Sequence, residues 1–284
     1  MSVVLITGCS SGIGMESALA FARQGDTVLA SMRNPKKAGR LLDQAKAEGL
    51  AVEVVTLDVN DDDSVAAAVA AIEKQHGAID VLVNNAGVGF SGSVETIEDD
   101  RAKSIIDTNF WGAVRMTRAA LPKMRAKGAG IVINVTSVAG RVPGTPYQGF
   151  YAASKHALNA LTEAMYWEVQ PYGIRVATIE PGFFATEIFA NSQLGKEDDA
   201  TDYAADRAWV DEFFLKSGEA AGGDPAVVAE AIVKTAADPA PPLHTLVGDD
   251  AVLFVDLVNQ AGTFEGCVPV ATQIVESVAG PRPI

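Results

Sequence analysis

Val3-Val4-Leu5-Ile6-Thr7-Gly8-Cys9-Ser10-Ser11-Gly12-Ile13-Gly14 constrains the fold more than any other stretch of the chain. Four apolar residues in a row suit a strand buried on both faces, and the glycines after them let the chain turn sharply into a helix. The first N–H groups of that helix have no partner within it and lie open to an anion. A glycine-rich turn alone also marks an ordinary loop, but strand, turn and helix in this order is the context that binds a dinucleotide pyrophosphate. Gly8, Ser10, Ser11, Gly12, Ile13 and Gly14 are therefore the expected cradle.

Strands and helices alternate from there on. Helices are expected over 13–24, 64–76, 97–127, 147–169 and from Asp224, the long one broken near Pro122, and two short ones after Ala251. Strands are expected over 27–32, 51–57, 79–83, 131–135, 175–179 and within 239–247. Right-handed crossovers then give an α/β fold, a Rossmann-type doubly wound parallel sheet of about seven strands with helices on both faces. A chain of 284 residues fits this as a single domain.

The second strand ends Ala30-Ser31-Met32-Arg33, without the acid that holds the ribose 2′-hydroxyl in NAD sites. Arg33, Lys36, Lys37 and Arg40 follow within eight residues, although acidic side chains outnumber basic ones by 36 to 22. Basic residues at a helix start oppose its dipole, so a clamp for the 2′-phosphate of NADP explains them better than a solvated turn, with NAD still possible. A net charge of −14 argues against nucleic acid or an anionic membrane as partner. No apolar run approaches the roughly 18 residues of a membrane span. Cys9 and Cys267 have no metal-ligand spacing, and no metal is expected. Few cysteines and a first strand at Val3 read as a reduced, cytoplasmic protein.

Tyr151 and Lys155 stand at i and i+4, neighbours on one helix face. A free phenol ionises near pH ~10, so it serves as acid or base at neutral pH only if a nearby positive charge favours the phenolate. Lys155 and an oxidised cofactor would supply that charge.

Thr-Gly-x-x-x-Gly-Ile-Gly at 7–14, Asn84-Asn85-Ala86-Gly87, Ser137 and Tyr151-x-x-x-Lys155 together resemble the short-chain dehydrogenase/reductase family over roughly residues 1–190, in the family's order. The resemblance implies Ser137, Tyr151 and Lys155 as the catalytic set, with Asn109 holding a water against the lysine. It also implies that Asp58, beside Val59, contacts the adenine, though Asp58 equally suits a helix N-terminus. Asn85, Ala86 and Gly87 would line the adenosine side, and Pro181, Gly182 and Thr186 the nicotinamide carboxamide. The Gly140–Phe150 loop is a residue longer than is usual in the family. The glycine turn and the Met-Arg end of the second strand are similar to the hydroxysteroid and retinol dehydrogenase branch.

On this reading 1–182 is the cofactor-binding and catalytic core, 183–223 a substrate lid, and 224–284 the last strand and C-terminal helices. The expected activity is hydride transfer between NADP(H) and the carbonyl or secondary alcohol of an apolar, steroid-, retinoid- or lipid-like substrate. Phe183, Phe184, Phe189, Phe213 and Phe214, with Tyr203 and Trp209, would face it, and the acids of 197–202 would face water. Tyr147 and Phe150 would add pocket wall, and 187–223 would order only on ligand binding. The alternatives are an inactive nucleotide-sensing regulator, a 3-oxoacyl reductase of fatty-acid type and a sugar-nucleotide epimerase. The regulator would be expected to lose the serine, tyrosine or lysine, and the epimerase to have another glycine spacing. A homodimer or homotetramer is expected through helices 97–127 and 147–169, with Ala119, Ala120, Ala157, Ala160 and Ala164 allowing close approach.

Overall fold

The N-terminal apolar run becomes β1 (Val3–Ile6), in which Val4, Leu5 and Ile6 are wholly buried, and the sheet grows outward from it on both sides. The computed structural model describes residues 1–89, 91–186, 188 and 201–283. Its seven parallel strands lie in the order β3 (Glu53–Thr56), β2 (Thr27–Met32), β1, β4 (Val81–Asn84), β5 (Gly130–Val135), β6 (Ile174–Pro181) and β7 (His244–Val247). Leu5 registers with Leu29 on one side and Leu82 on the other. Between β1 and β4 the strand order reverses, so successive crossovers leave toward opposite faces and a crevice opens at the strands' carboxyl ends.

Alternate residues feed two cores. Val4, Ile6, Val28 and Ala30 pack beneath α1 (Gly12–Arg23), α2 (Gly39–Ala47) and α8 (Pro225–Ala237). Leu5, Leu29, Leu82 and Val132 face α3 (Asp62–His76), α5 (Gly112–Lys127) and α6 (Gly149–Val169). Strands covered on both sides in this way must be apolar at nearly every position, which is why they read as continuous runs. Among the described residues no helix is long and apolar enough to cross a membrane.

Two expectations are corrected. The 97–127 segment is interrupted at a π-helical turn, Asp107–Trp111, between α4 (Asp99–Ile106) and α5, and not at Pro122, which lies inside α5. Pro122 is exposed, as is Arg118 one turn earlier, and the helix continues through it. Residues 204–221, expected to be loosely ordered, form helix α7 (Ala204–Ala221). Trp209, Val210 and Phe213 of α7 are buried against Val275 of α10 (Phe264–Ala279), a partner some 65 residues away in sequence. Phe189 and residues 197–200 of the acidic stretch lie outside the described residues.

Candidate active site

Gly8 (φ 76°) and Gly12 (φ 54°) adopt the left-handed backbone that suits glycine. Gly14 is required by proximity, since a Cβ there would lie 2.4 Å from the Gly8 carbonyl oxygen and 2.5 Å from Asn85 Nδ2. Ser11 is extended and makes no side-chain cap, so the first N–H groups of α1 stay uncapped. The Thr7 hydroxyl accepts from the N–H groups of Asn85 and Ala86 at 3.0 Å each. Asn85 Nδ2 donates to the carbonyls of Thr7 (2.8 Å) and Gly8 (3.2 Å), so the Asn-Asn-Ala-Gly segment props the turn. Thr186 stands across from Gly12, 3.4 Å from where a Cβ would be.

Arg33 follows β2 directly, is exposed and forms no side-chain pair among the described residues. Lys36 and Lys37 are exposed on a 3-10 turn, Pro35–Ala38, whose N-cap is Asn34. Neither that turn nor α2 has an acid in its first turn. Asp58 is half-buried and its Oδ1 accepts from the Asn60 N–H at 3.0 Å. The N-cap of α3 is Asp61, which removes the capping alternative for Asp58. Val59 is buried and packs on Gly112, where a Cβ would meet its Cγ2 at 2.8 Å.

The π-helical turn points Asn109 inward. Its Oδ1 accepts from the Val88 N–H (2.8 Å), and its Nδ2 donates to the Val88 carbonyl and to Ser154 Oγ, both at 3.0 Å. Gly87 sits between Asn109 and Lys155, since a Cβ there would lie 3.3 Å from Asn109 Oδ1 and 3.7 Å from Lys155 Nζ. Lys155 is 3% exposed, and its Nζ donates to the Val135 carbonyl at 3.0 Å. Burial, with no carboxylate partner among the described residues, pulls the ammonium down to about 8.

Tyr151 is 7% exposed. Burial raises its phenol, and a hydrogen bond with Ser137 draws it partly back. The expected lowering by Lys155 is therefore not the dominant effect in the chain alone. The Nζ lies 5.7 Å from the Tyr151 ring centroid and is committed to the Val135 carbonyl, while desolvation acts on the whole phenol. Ser137 Oγ also accepts from the Ala139 N–H at 3.1 Å, which starts the short turn Val138–Gly140. A Cβ on Gly140 would meet the Lys155 carbonyl oxygen at 3.0 Å, so this turn seats Ser137 against α6. Arg141 then ties the following loop to β6, its Nη1 3.4 Å from the wholly buried Glu180.

A single cavity of about 540 Å³ reaches both Ile13 and Thr186 at the glycine cradle and Ser137, Tyr151 and Lys155. Its remaining walls are mostly apolar: Phe183, Phe184, Trp209, Phe213 and Phe214, as expected, and Phe254, Leu257, Phe264 and Val268 from α9 (Asp249–Ala261) and α10. Phe183 packs against Phe213, Phe214 and Phe254 with centroids 5.8–6.2 Å apart. The C-terminal helices carried no function in the sequence reading. Their signal was the spacing Phe264, Cys267, Val268, Ala271, one helical stripe.

Three expected wall residues lie elsewhere. Phe150 packs on Ile97, Ala102 and Ile105. Tyr147 takes a left-handed backbone (φ 62°) and donates its hydroxyl to Asp206 at 2.9 Å. Tyr203 donates to Glu95 at 2.6 Å. Asp206, 3% exposed, also receives Nε and Nη2 of Arg282 at 2.7 Å each, and these bonds hold its carboxyl below the usual range. Trp209 Nε1 donates to the Gly280 carbonyl at 2.7 Å, so α7 is clasped to the C-terminal segment. No cluster of metal-ligating side chains exists among the described residues.

An uncapped helix N-terminus opening into the same cavity as a buried Tyr–Lys pair belongs to the doubly wound oxidoreductases that use a nicotinamide dinucleotide. The family model for short chain dehydrogenases matches residues 2–197. The 3-ketodihydrosphingosine reductase of Bacteroides thetaiotaomicron is 36% identical over 247 residues, 87% of this chain and 87% of that protein. Retinol dehydrogenase 8 of Bos taurus is 39% identical over 252 residues, 85% and 80% of the two chains. The crystal structure of a short-chain dehydrogenase from Streptomyces avermitilis is 32% identical, with a TM-score of 0.82 over 98% of this chain and 97% of that one. Further solved structures of this fold, 25–27% identical, are complexes with NADP or 5-hydroxy-NADP. The chain belongs to the short chain dehydrogenase family and is an oxidoreductase acting on CH–OH groups.

Proposed function

We propose that the protein moves a hydride between NADP(H) and the carbonyl or secondary alcohol of an apolar substrate, with Tyr151 handling the proton. The observation that carries this reading is the single cavity shared by the glycine cradle, the Tyr151–Lys155 pair and a wall of aromatic side chains.

The residues present fit a dinucleotide. Gly8, Gly12 and Gly14 leave a hollow that side chains would fill, below the uncapped N–H groups of α1. Ser10, Ser11 and Ile13 border it, Arg33 would hold the 2′-phosphate, and Asp58 and Val59 would face the adenine. Asn85, Ala86 and Gly87 form one wall, and Pro181, Gly182 and Thr186 the wall toward the nicotinamide. When bound, the cofactor supplies or accepts the hydride.

The chain supplies the rest. Ser137 donates to the substrate oxygen, whose negative charge grows as the carbonyl carbon gains hydride. Tyr151 gives that oxygen its proton in reduction and takes it back in oxidation. Burial keeps the phenol protonated and ready to donate, while the Lys155 charge lowers the cost of the phenolate left behind. Asn109, fixed by Val88 and Ser154, holds the turn beside Gly87 and Lys155 in register and is placed to keep a water against the lysine. Phe183, Phe184, Ile188 and α7, with α9 and α10, roof the cavity and exclude water from the transfer.

Turnover of a homologous series of ketones with NADPH tests this. At ~0.8 kcal/mol per buried CH₂, kcat/KM should rise about fourfold per methylene until the cavity is full. A preference for small charged substrates, with no gain along the series, overturns the apolar reading.

Self-association through the outer faces of α5 and α6 is also proposed. Ala157, Ala160 and Ala164 are exposed there, with Trp167 75% and Trp111 43% exposed. Ala120 is buried against the sheet and Ala119 packs on the same core, so these two drop out of the expected contact set.

A further inference from the structure

Among the described residues only two charged side chains line the cavity, Lys155 and Arg282. Lys155 serves the reacting end. Arg282 has no part in that chemistry, and an ionised group facing an apolar cavity costs free energy unless it has partners. Asp206 satisfies two of its nitrogens, Nε and Nη2, and the guanidinium lies 5.6 Å from the Trp209 ring centroid. Nη1 makes no hydrogen bond among the described residues, and two-fifths of the side chain stays exposed. Arg282 and Pro146 also line a second, shallower pocket beside Tyr147, so Arg282 stands where that pocket meets the main cavity.

Fixed in place by a buried carboxylate and an indole, Nη1 presents two preorganised donors and needs no rearrangement to use them. We propose that Arg282 Nη1 binds a second, neutral oxygen of the substrate, a hydroxyl or keto group apart from the carbonyl that meets Tyr151. Neutral acceptors suit the site because Asp206 already balances the guanidinium and would repel a carboxylate at this distance. The substrate class is thereby narrowed from apolar carbonyl compounds to apolar molecules oxygenated at two places. This rests on the hydride-transfer reading above.

The test uses the full-length protein, NADPH and a matched pair of ketones identical except that one bears an extra hydroxyl or keto group at its far end. The wild type should favour the doubly oxygenated ketone about tenfold in kcat/KM, the scale of one hydrogen bond to a charged group. In Arg282→Met that ratio should fall to about one, while Arg282→Lys, which keeps a donor and the charge but not the fork, should retain part of it. Loosening of the α7 clasp changes both rates together and cancels in the ratio. A wild-type ratio near one, or a ratio that Arg282→Met leaves intact, overturns the proposal. Failure of the wild type to turn over the simple apolar ketone rejects the underlying reading and this proposal with it, whereas turnover without discrimination rejects this proposal alone.

Discussion

Replacing Lys155 with methionine should make the cofactor-free protein more stable while removing its activity. The ammonium is 3% exposed, its one hydrogen bond among the described residues goes to the Val135 carbonyl, and burial draws it from an ordinary value of 10.5 to about 8. At ~1.36 kcal/mol per unit of pKa, holding the charged form in the folded state costs about 3 kcal/mol at neutral pH. Methionine keeps the stem and removes the charge, and losing the bond to Val135 gives back ~1 kcal/mol, so about 2 kcal/mol of stabilisation remains. With an unfolding entropy of ~2.1 cal/mol/K per residue, that raises Tm by about 3 °C in a chain of this length. The sign has a pH signature. Because the folded pKa lies below the unfolded one, the unfolded wild type binds more protons between about pH 8 and 10.5, and the wild type gains stability as pH rises through that window. The advantage of Lys155→Met should therefore be full below about pH 8, vanish near pH ~9.5 and be reversed by 10.5. Calorimetry of both proteins at pH 7 and pH 10, with turnover assayed alongside, measures it. A less stable variant at pH 7, or a difference that persists undiminished at pH 10, would refute the reasoning.

Tyr151→Phe should keep fold and cofactor affinity but lower turnover by about 10²-fold or more, the scale of a positioned proton donor, and rates on a confirmed substrate decide it. Carbonyl reduction by the wild type should decline as pH rises through about 8, where Lys155 loses its charge; a pH–rate profile checks it. Arg33→Ala should weaken NADP(H) binding roughly 10- to 100-fold and hardly affect NAD(H), as measured by titration with each; equal weakening of both would remove the 2′-phosphate assignment. Ala160→Arg on the exposed face of α6 should convert the oligomer to monomer by light scattering, and a wild type that is already monomeric at micromolar concentration ends that proposal.

What could be read from the sequence was what depends on neighbours along the chain. β2 runs from Thr27 to Met32 as its apolar pattern requires, and Asp224-Pro225 starts α8 as an N-cap followed by proline at the first helical position. The cradle, the Asn-Asn-Ala-Gly segment and the Tyr–Lys pair are likewise local patterns, and the structure brings all of them to one cavity. What escaped depends on contacts distant in sequence. The helix at 204–221 is weakly patterned by itself and acquires a buried face only where α10 covers Trp209 and Phe213. The interruption at 107–111 places one extra residue in a helical turn, a change in hydrogen-bonding register that leaves composition and hydropathy untouched. Pro122, the conspicuous breaker, points to water and breaks nothing.

The match to the family ends at residue 197, whereas Trp209, Phe213, Phe254 and Phe264, which give the cavity much of its apolar wall, come later in the chain. On the proposed function, the proton-transfer residues and the later aromatic wall occupy consecutive tracts of one polypeptide. Mutation can reshape the second tract while the first keeps its chemistry, so new preferences can arise here without passing through an inert intermediate. Grafting 204–283 from a relative onto this chain would transplant a palate, leaving the catalytic engine as it was.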